Sequence, residues 1–164
     1  MNKEILIICR GGGDLATGIV HRLFRAGYQV LILETAEPAA IRRQVSFCEA
    51  VYEGTATVEG VTAERIYTAK KQAVEEVLQR GRIPLLVDPD GRSIEVLKPD
   101  VVVDAIIAKK NLGTYKEMAP LVIGIGPGFV AGEDVHLVVE SMRGHNLARI
   151  FTTGSALPNT GIPG

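Results

Sequence analysis

Short apolar runs alternate with amphipathic stretches along most of the 164 residues. Residues 4–9 (EILIIC) read as a compact strand, three glycines follow, and the apolar positions of 15–26 recur with a helical period. Asp14 is placed to cap that helix and Gly27 to end it. Residues 28–33 form a second strand that closes on Glu34. Thr35 and Pro38 open a short helix over about 38–45, and 47–52 reads as a third strand. The sequence of elements is the βαβαβ half-unit of a doubly wound fold.

Residues 53–66 are less periodic and read as a loop with short strands. Over 69–80 the residues Ala69, Ala73, Val74, Val77 and Leu78 share one helix face, and Gly81 ends it. A strand at 83–87 meets the turn Pro89-Asp90-Gly91, and 93–97 then reads as the second arm of a hairpin. Strands at 101–105, 121–125, 136–140 and 148–152 complete the pattern. The expectation is one α/β domain over 1–164: a Rossmann-like, doubly wound, mostly parallel sheet with an antiparallel hairpin. The final NTGIPG carries no regular element, as suits either a domain boundary or a free tail.

Composition narrows the function classes. Hydrophobic residues make up 46% of the chain while aromatics make up 5% and Trp is absent, so the core is aliphatic. A formal net charge of -1 lacks the basic surplus of a nucleic-acid or anionic-membrane binder. No apolar run approaches the ~20 residues of a membrane span, and the first apolar run is too short for a signal peptide. Two cysteines are too few for a disulfide framework or a zinc motif. A cytoplasmic protein is expected, and its apolar strands suit a homodimer.

The glycine turn carries the first chemistry. Gly11-x-Gly13-x-x-Ala16 fits G-x-G-x-x-A between a strand and a helix. Gly11 permits the tight turn, Gly13 lets phosphates approach backbone N–H groups, and Ala16 packs the helix on the strand. Gly18 falls on the opposite, polar face with Thr17, His21, Arg22 and Arg25, where it either admits something to that face or is merely tolerated. Glu34, 21 positions after Gly13, has the spacing of an acid that holds a ribose 2′-OH, which favours NAD over NADP. Asp14 complicates this, because a capping carboxylate uses the N–H groups a pyrophosphate needs. The turn is read as a nucleotide or related phosphate site, with an ordinary strand-to-helix turn as the plain alternative.

Longer motifs follow in the second half: Asp104-Ala105, Ala108-Lys109-Lys110-Asn111-Leu112-Gly113-Thr114, Gly124-Ile125-Gly126-Pro127-Gly128-Phe129, Ala131-Gly132-Glu133-Asp134-Val135-His136, Glu140-Ser141-Met142-Arg143-Gly144-His145, and the terminal GSALPNTGIPG. Together they resemble the YqeB family of the selenium-dependent molybdenum hydroxylase system, related to the XdhC/CoxI accessory proteins. The resemblance covers essentially the whole chain. It implies a longer family protein of which this is the N-terminal part. It also implies an accessory role in maturing such a hydroxylase: binding molybdenum cofactor (molybdopterin) or a nucleotide, with the apoenzyme and cofactor-maturation proteins as partners. An NAD(H)-dependent oxidoreductase and a nucleotide-sensing regulatory domain are the alternatives.

Within these motifs Asp104, Lys109, Gly126, Gly128 and Phe129 join Gly11, Gly13, Asp14, Gly18 and Glu34 as candidate cofactor contacts. Lys109 and Lys110 follow a strand carboxyl end, where doubly wound sheets bind ligands, and could equally be a solvated pair. The Gly126-Pro127-Gly128 loop offers exposed backbone or simply ends a strand. Glu133, Asp134 and His136 are the densest ionisable cluster but lack a diagnostic metal spacing, so no metal is assigned. Arg143 and His145 suit an anionic ligand or an exposed loop. Cys9 and Cys48 suit persulfide chemistry or inert burial, and their strands are not adjacent, which disfavours a disulfide.

Overall fold

A computed structural model describes residues 4–158. The terminal NTGIPG, with its two readings, lies outside the described residues. Among the described residues nine strands form one sheet: β1 (Leu6–Arg10), β2 (Gln29–Glu34), β3 (Thr55–Val58), β4 (Val61–Ile66), β5 (Ile83–Val87), β6 (Val101–Asp104), β7 (Leu121–Ile125), β8 (Leu137–Val139) and β9 (Ile150–Phe151). Their order is β3-β4-β5-β2-β1-β6-β7-β8-β9. The run from β4 to β8 is parallel, and β3 and β9 add antiparallel edges. The α/β doubly wound fold with a mostly parallel sheet and an antiparallel hairpin is therefore present. The chain reverses direction across the sheet between β1 and β6, which makes a crevice at their carboxyl ends.

Four α-helices among the described residues accompany the sheet: α1 (Asp14–Arg25), α2 (Ala50–Glu53), α3 (Lys71–Gln79) and α4 (Ser93–Leu97). Because side chains alternate along a strand, the sheet has two apolar layers. One joins Ile7, Cys9, Val30 and Ile32 to Ala16 and Val20 of α1 and to Phe47, Ala50 and Val51. The other joins Ile8, Leu31, Val102 and Val122 to Val74 and Val77 of α3 and Ile94 of α4. Phe129 belongs to this second layer at 3% exposure. Its ring sits against Gly124, where an added Cβ would lie 2.5 Å from the ring. Gly124→Ala is expected to cost about 1–3 kcal/mol by overpacking, read as a lower midpoint in urea unfolding.

Several local expectations are corrected. Residues 47–52 are not a strand but a 3-10 turn (Phe47–Glu49) running into α2. Phe47, Ala50 and Val51 are spaced i, i+3, i+4, so the helical period also buries them; short apolar runs do not separate the two cases. Residues 93–97 form α4 rather than a hairpin arm, because Asp88 accepts the N–H groups of Arg92 and Ser93 and the Ser93 hydroxyl, starting a helix. The hairpin lies instead in the stretch expected to be a loop with short strands, where Glu59 (φ 46) and Gly60 (φ 79) turn β3 into β4. That pair of left-handed residues is the signature of a tight two-residue hairpin turn. The helix expected over 38–45 is reduced to a 3-10 turn at Arg43–Val45.

Candidate functional site

The crevice is built from the ends of β1, β2 and β6. Gly11 adopts φ +102, and a side chain there would strike the Ala105 carbonyl at 2.9 Å, so only glycine lets β1 leave the sheet beside β6. Gly12 packs against the Cys48 backbone and Ile32. Gly13, not Asp14, is the N-cap residue of α1, and open space lies where its Cβ would be. A cavity of about 220 Å³ opens here, lined by Gly11, Gly13, Glu34, Cys48, Ala105 and Ile106, with residues 38–40 on its rim.

The hydrogen bonds of the turn define what it offers. Gly11 donates its N–H to the Leu33 carbonyl at 2.8 Å, and Gly12 donates to Glu34 Oε2 at 2.7 Å. Leu15 donates to Asp14 Oδ1 at 3.1 Å. The N–H groups of Gly13, Asp14 and Ala16 find no acceptor among the described residues. The exposed Asp14 carboxylate thus binds its own neighbour's N–H instead of closing the turn. Three donors at the positive end of a 12-residue helix remain for an anion.

Glu34 lines the crevice as its spacing predicts, but its oxygens are engaged: Oε2 by Gly12 and Oε1 by the Thr35 N–H at 2.8 Å. It buttresses the turn before it meets any ribose. Thr17 departs from its expected polar face. It is buried, donating its hydroxyl to the Gly12 carbonyl and accepting the Phe47 N–H at 2.9 Å. In this way α1 fixes the segment that carries Cys48.

Cys48 is buried on the crevice wall and belongs to the 3-10 turn, not to a strand; both cysteines are free thiols. Burial first, then the Glu34 and Glu49 carboxylates, pushes the Cys48 thiol up to about 11. Burial with Asp104 and Glu34 nearby raises Cys9 further still. Both are neutral thiols at physiological pH, a poor state for persulfide chemistry. The unfolded chain releases these protons from about pH 8.5, whereas the folded chain keeps them, so stability falls as pH rises through about 9–11. The melting temperature is expected to fall across that window, with a shallower fall in Cys48→Ala; parallel curves for the two proteins would contradict it.

Asp104 lies directly beneath the crevice and is 1% exposed. It accepts the Thr114 hydroxyl at 2.6 Å and the Ile106 N–H at 3.1 Å, so it is a fold-supporting group rather than a ligand contact. Its partner escaped the sequence reading. Arg10, 2% exposed, donates to Thr114 Oγ1 at 2.6 Å and to the carbonyls of Pro89 and Leu112. Arg10 and Asp104 are paired neighbours on β1 and β6. Arginine directly before a glycine turn, unable to reach solvent past the sheet, was the available signal.

The remaining candidates scatter. Lys109 sits at φ 64 in an exposed loop. Gly126 (φ 84) closes on Ser141 Oγ, and Gly128 (φ 105) packs on the Lys110 backbone, so that loop is spent on chain packing. Phe129 is core, as described. Asp134 accepts the Val130 N–H at 2.9 Å and shapes a turn with exposed Glu133. His136 Nδ1 accepts the Val122 N–H at 2.9 Å, extending the β7–β8 ladder. Among the described residues no three His, Cys, Asp or Glu side chains gather as a metal site. Glu140 is buried and accepts the N–H groups of Met142 and Leu157. His145 is exposed, while Gly18 and Arg143 meet away from the crevice, at a groove along α1.

Among the described residues no helix is long and apolar enough to cross a membrane. No family model matches the chain, and no solved structure matches it. It is 49% identical over 159 residues, 97% of its length, to a protein of Escherichia coli (strain K12) named Uncharacterized protein YqeB. That is the family name the motifs resemble. The chain spans 29% of that relative's length.

Proposed function

We propose that this chain is the cofactor-binding part of an accessory protein for selenium-dependent molybdenum hydroxylases, holding molybdenum cofactor or a nucleotide in the β1–β6 crevice. The observation that carries the binding reading is the set of three free N–H groups at the α1 N-terminus, beside an open Gly13 and at the topological switch point. The link to hydroxylase maturation rests on the motif resemblance. The cofactor is cargo in this reading, passed to the apoenzyme with the help of maturation proteins in the cytoplasm.

The donor set suits a phosphate-bearing ligand: Gly13 lines the cavity, the free N–H groups of Asp14 and Ala16 belong to the same first turn of α1, and Ile106 and Cys48 supply an apolar wall. About 220 Å³ is below the ~300 Å³ of a typical small-molecule site. The crevice therefore takes the phosphate-bearing end, and the rest of the ligand lies over the rim. Glu34 and Cys48, the ionisable groups on its wall, are respectively engaged by backbone and held neutral, which suits retention more than turnover.

An NAD(H) oxidoreductase is the second reading, favoured by the place of Glu34 at the end of β2 on the cavity lining, although both its oxygens already accept backbone N–H groups. A thermal-shift panel of NAD, NADP, GTP, CTP and molybdopterin separates them. The accessory reading expects the largest shift from molybdopterin or a nucleotide without hydride exchange. Tight NADH binding with hydride exchange would replace it.

A further inference from the structure

The outer face of α1 carries a second concavity, of about 500 Å³, around Gly18. We propose that this groove is a separate binding site for a phosphorylated small molecule. It does not depend on the crevice reading.

Gly18 is the first observation. It lies inside a 12-residue helix, where glycine is about the least favourable residue after proline. Its φ is not left-handed, and a Cβ there would touch nothing within 4 Å. Neither backbone conformation nor packing requires glycine at this position. What its missing side chain does provide is a low floor to the groove.

Three arginines are the second. Arg22 from α1, Arg42 from the segment before the 3-10 turn and Arg143 from the loop after β8 line the same groove. They come from parts of the chain up to 121 positions apart, yet none makes an ion pair among the described residues. Two of the three segments are anchored by buried or backbone-directed hydrogen bonds. The Arg42 carbonyl accepts the Val45 N–H and the Ser46 hydroxyl, and Phe47 is tied to Thr17. Glu140 fixes the other through the Met142 N–H. The other titratable groups facing the groove are Asp14, Glu59 and His21, so three guanidiniums face two carboxylates.

Leu15 and Val45, both exposed, and Val58 give the groove an apolar side. Forked guanidiniums beside a small apolar surface match a ligand with phosphate oxygens at one end and a flat or apolar group at the other, as in a nucleotide. The size is that of an ordinary small-molecule site.

Isothermal titration with inorganic pyrophosphate and with ATP tests this. Sub-millimolar binding is expected, weakened tenfold or more in Arg22→Glu, Arg143→Glu and Gly18→Gln. The last variant should melt at a higher temperature than the parent, because Gln is the better helix former. Gly13→Asp separates the two sites: binding that survives it and is lost in Gly18→Gln belongs to the groove. Binding lost in Gly13→Asp but kept in Gly18→Gln overturns the groove proposal and leaves the crevice reading standing. No binding of either probe at about 1 mM overturns it as well.

Discussion

Replacing Asp104 with Ala is expected to lower the unfolding free energy by about 3–5 kcal/mol. Arg10 and Asp104 are each at most 2% exposed and communicate through the Thr114 hydroxyl, which accepts from one and donates to the other, both at 2.6 Å. Removing the carboxylate leaves a buried guanidinium without countercharge, a far larger cost than losing one hydrogen bond. Arg10→Met strands the carboxylate in the same way. In the double variant Arg10→Met/Asp104→Ala neither charge remains, so its loss should fall short of the sum of the singles by about 1–3 kcal/mol. Urea unfolding of the four proteins measures this. Additive losses, or singles below about 1 kcal/mol, would show that the two charges do not compensate one another. The consequence reaches the site, because Gly11 and Ala105 directly follow these residues and form the crevice floor.

Gly13→Asp is expected to weaken binding of the crevice ligand by about 100-fold or more, near 2.7 kcal/mol, while the fold stays intact. Gly13 is the N-cap residue at φ -68, a conformation any residue adopts, and its Cβ position is open. Asp is among the favoured N-cap residues, and exchanging it with Gly there changes helix stability by only a few tenths of a kcal/mol. Its carboxylate would take the Leu15 or Ala16 N–H and place negative charge where the ligand's phosphate belongs. Gly13→Asn caps without charge, so it should lose less. Equal losses in both would assign the effect to the N–H groups alone, and unchanged binding in both would place the ligand elsewhere.

The central βαβ units were legible because their periodicity and their function as buried strands coincide: 4–9, 15–26, 28–33 and 69–80 match β1, α1, β2 and α3 closely. The place of β2 beside β1 suits that pattern, but the strand on the far side of β2 is β5, not residues 47–52. Residues 47–52 and 93–97 were misread because five or six apolar-rich residues satisfy either period, and only the partner decides: Thr17 and Asp88, through their hydrogen bonds. The glycine turn itself was legible, but the direction of its side chains was not. Asp14 turns to Leu15, and Glu34 turns back to Gly12, neither of which spacing can tell. The Arg10–Thr114–Asp104 bridge links residues 104 positions apart, and the α1 groove joins segments still farther apart. Such sites are visible only once the sheet has brought the segments together.

The most direct test of the crevice is an amide NMR titration of the ¹⁵N-labelled protein with the ligand that stabilises it best in the thermal-shift panel. The Gly13, Asp14 and Ala16 N–H resonances are expected to move downfield as they take up the anion, while the Gly12 N–H, already held by Glu34, moves least. Ligand-induced shifts that leave Gly13, Asp14 and Ala16 unmoved would contradict it.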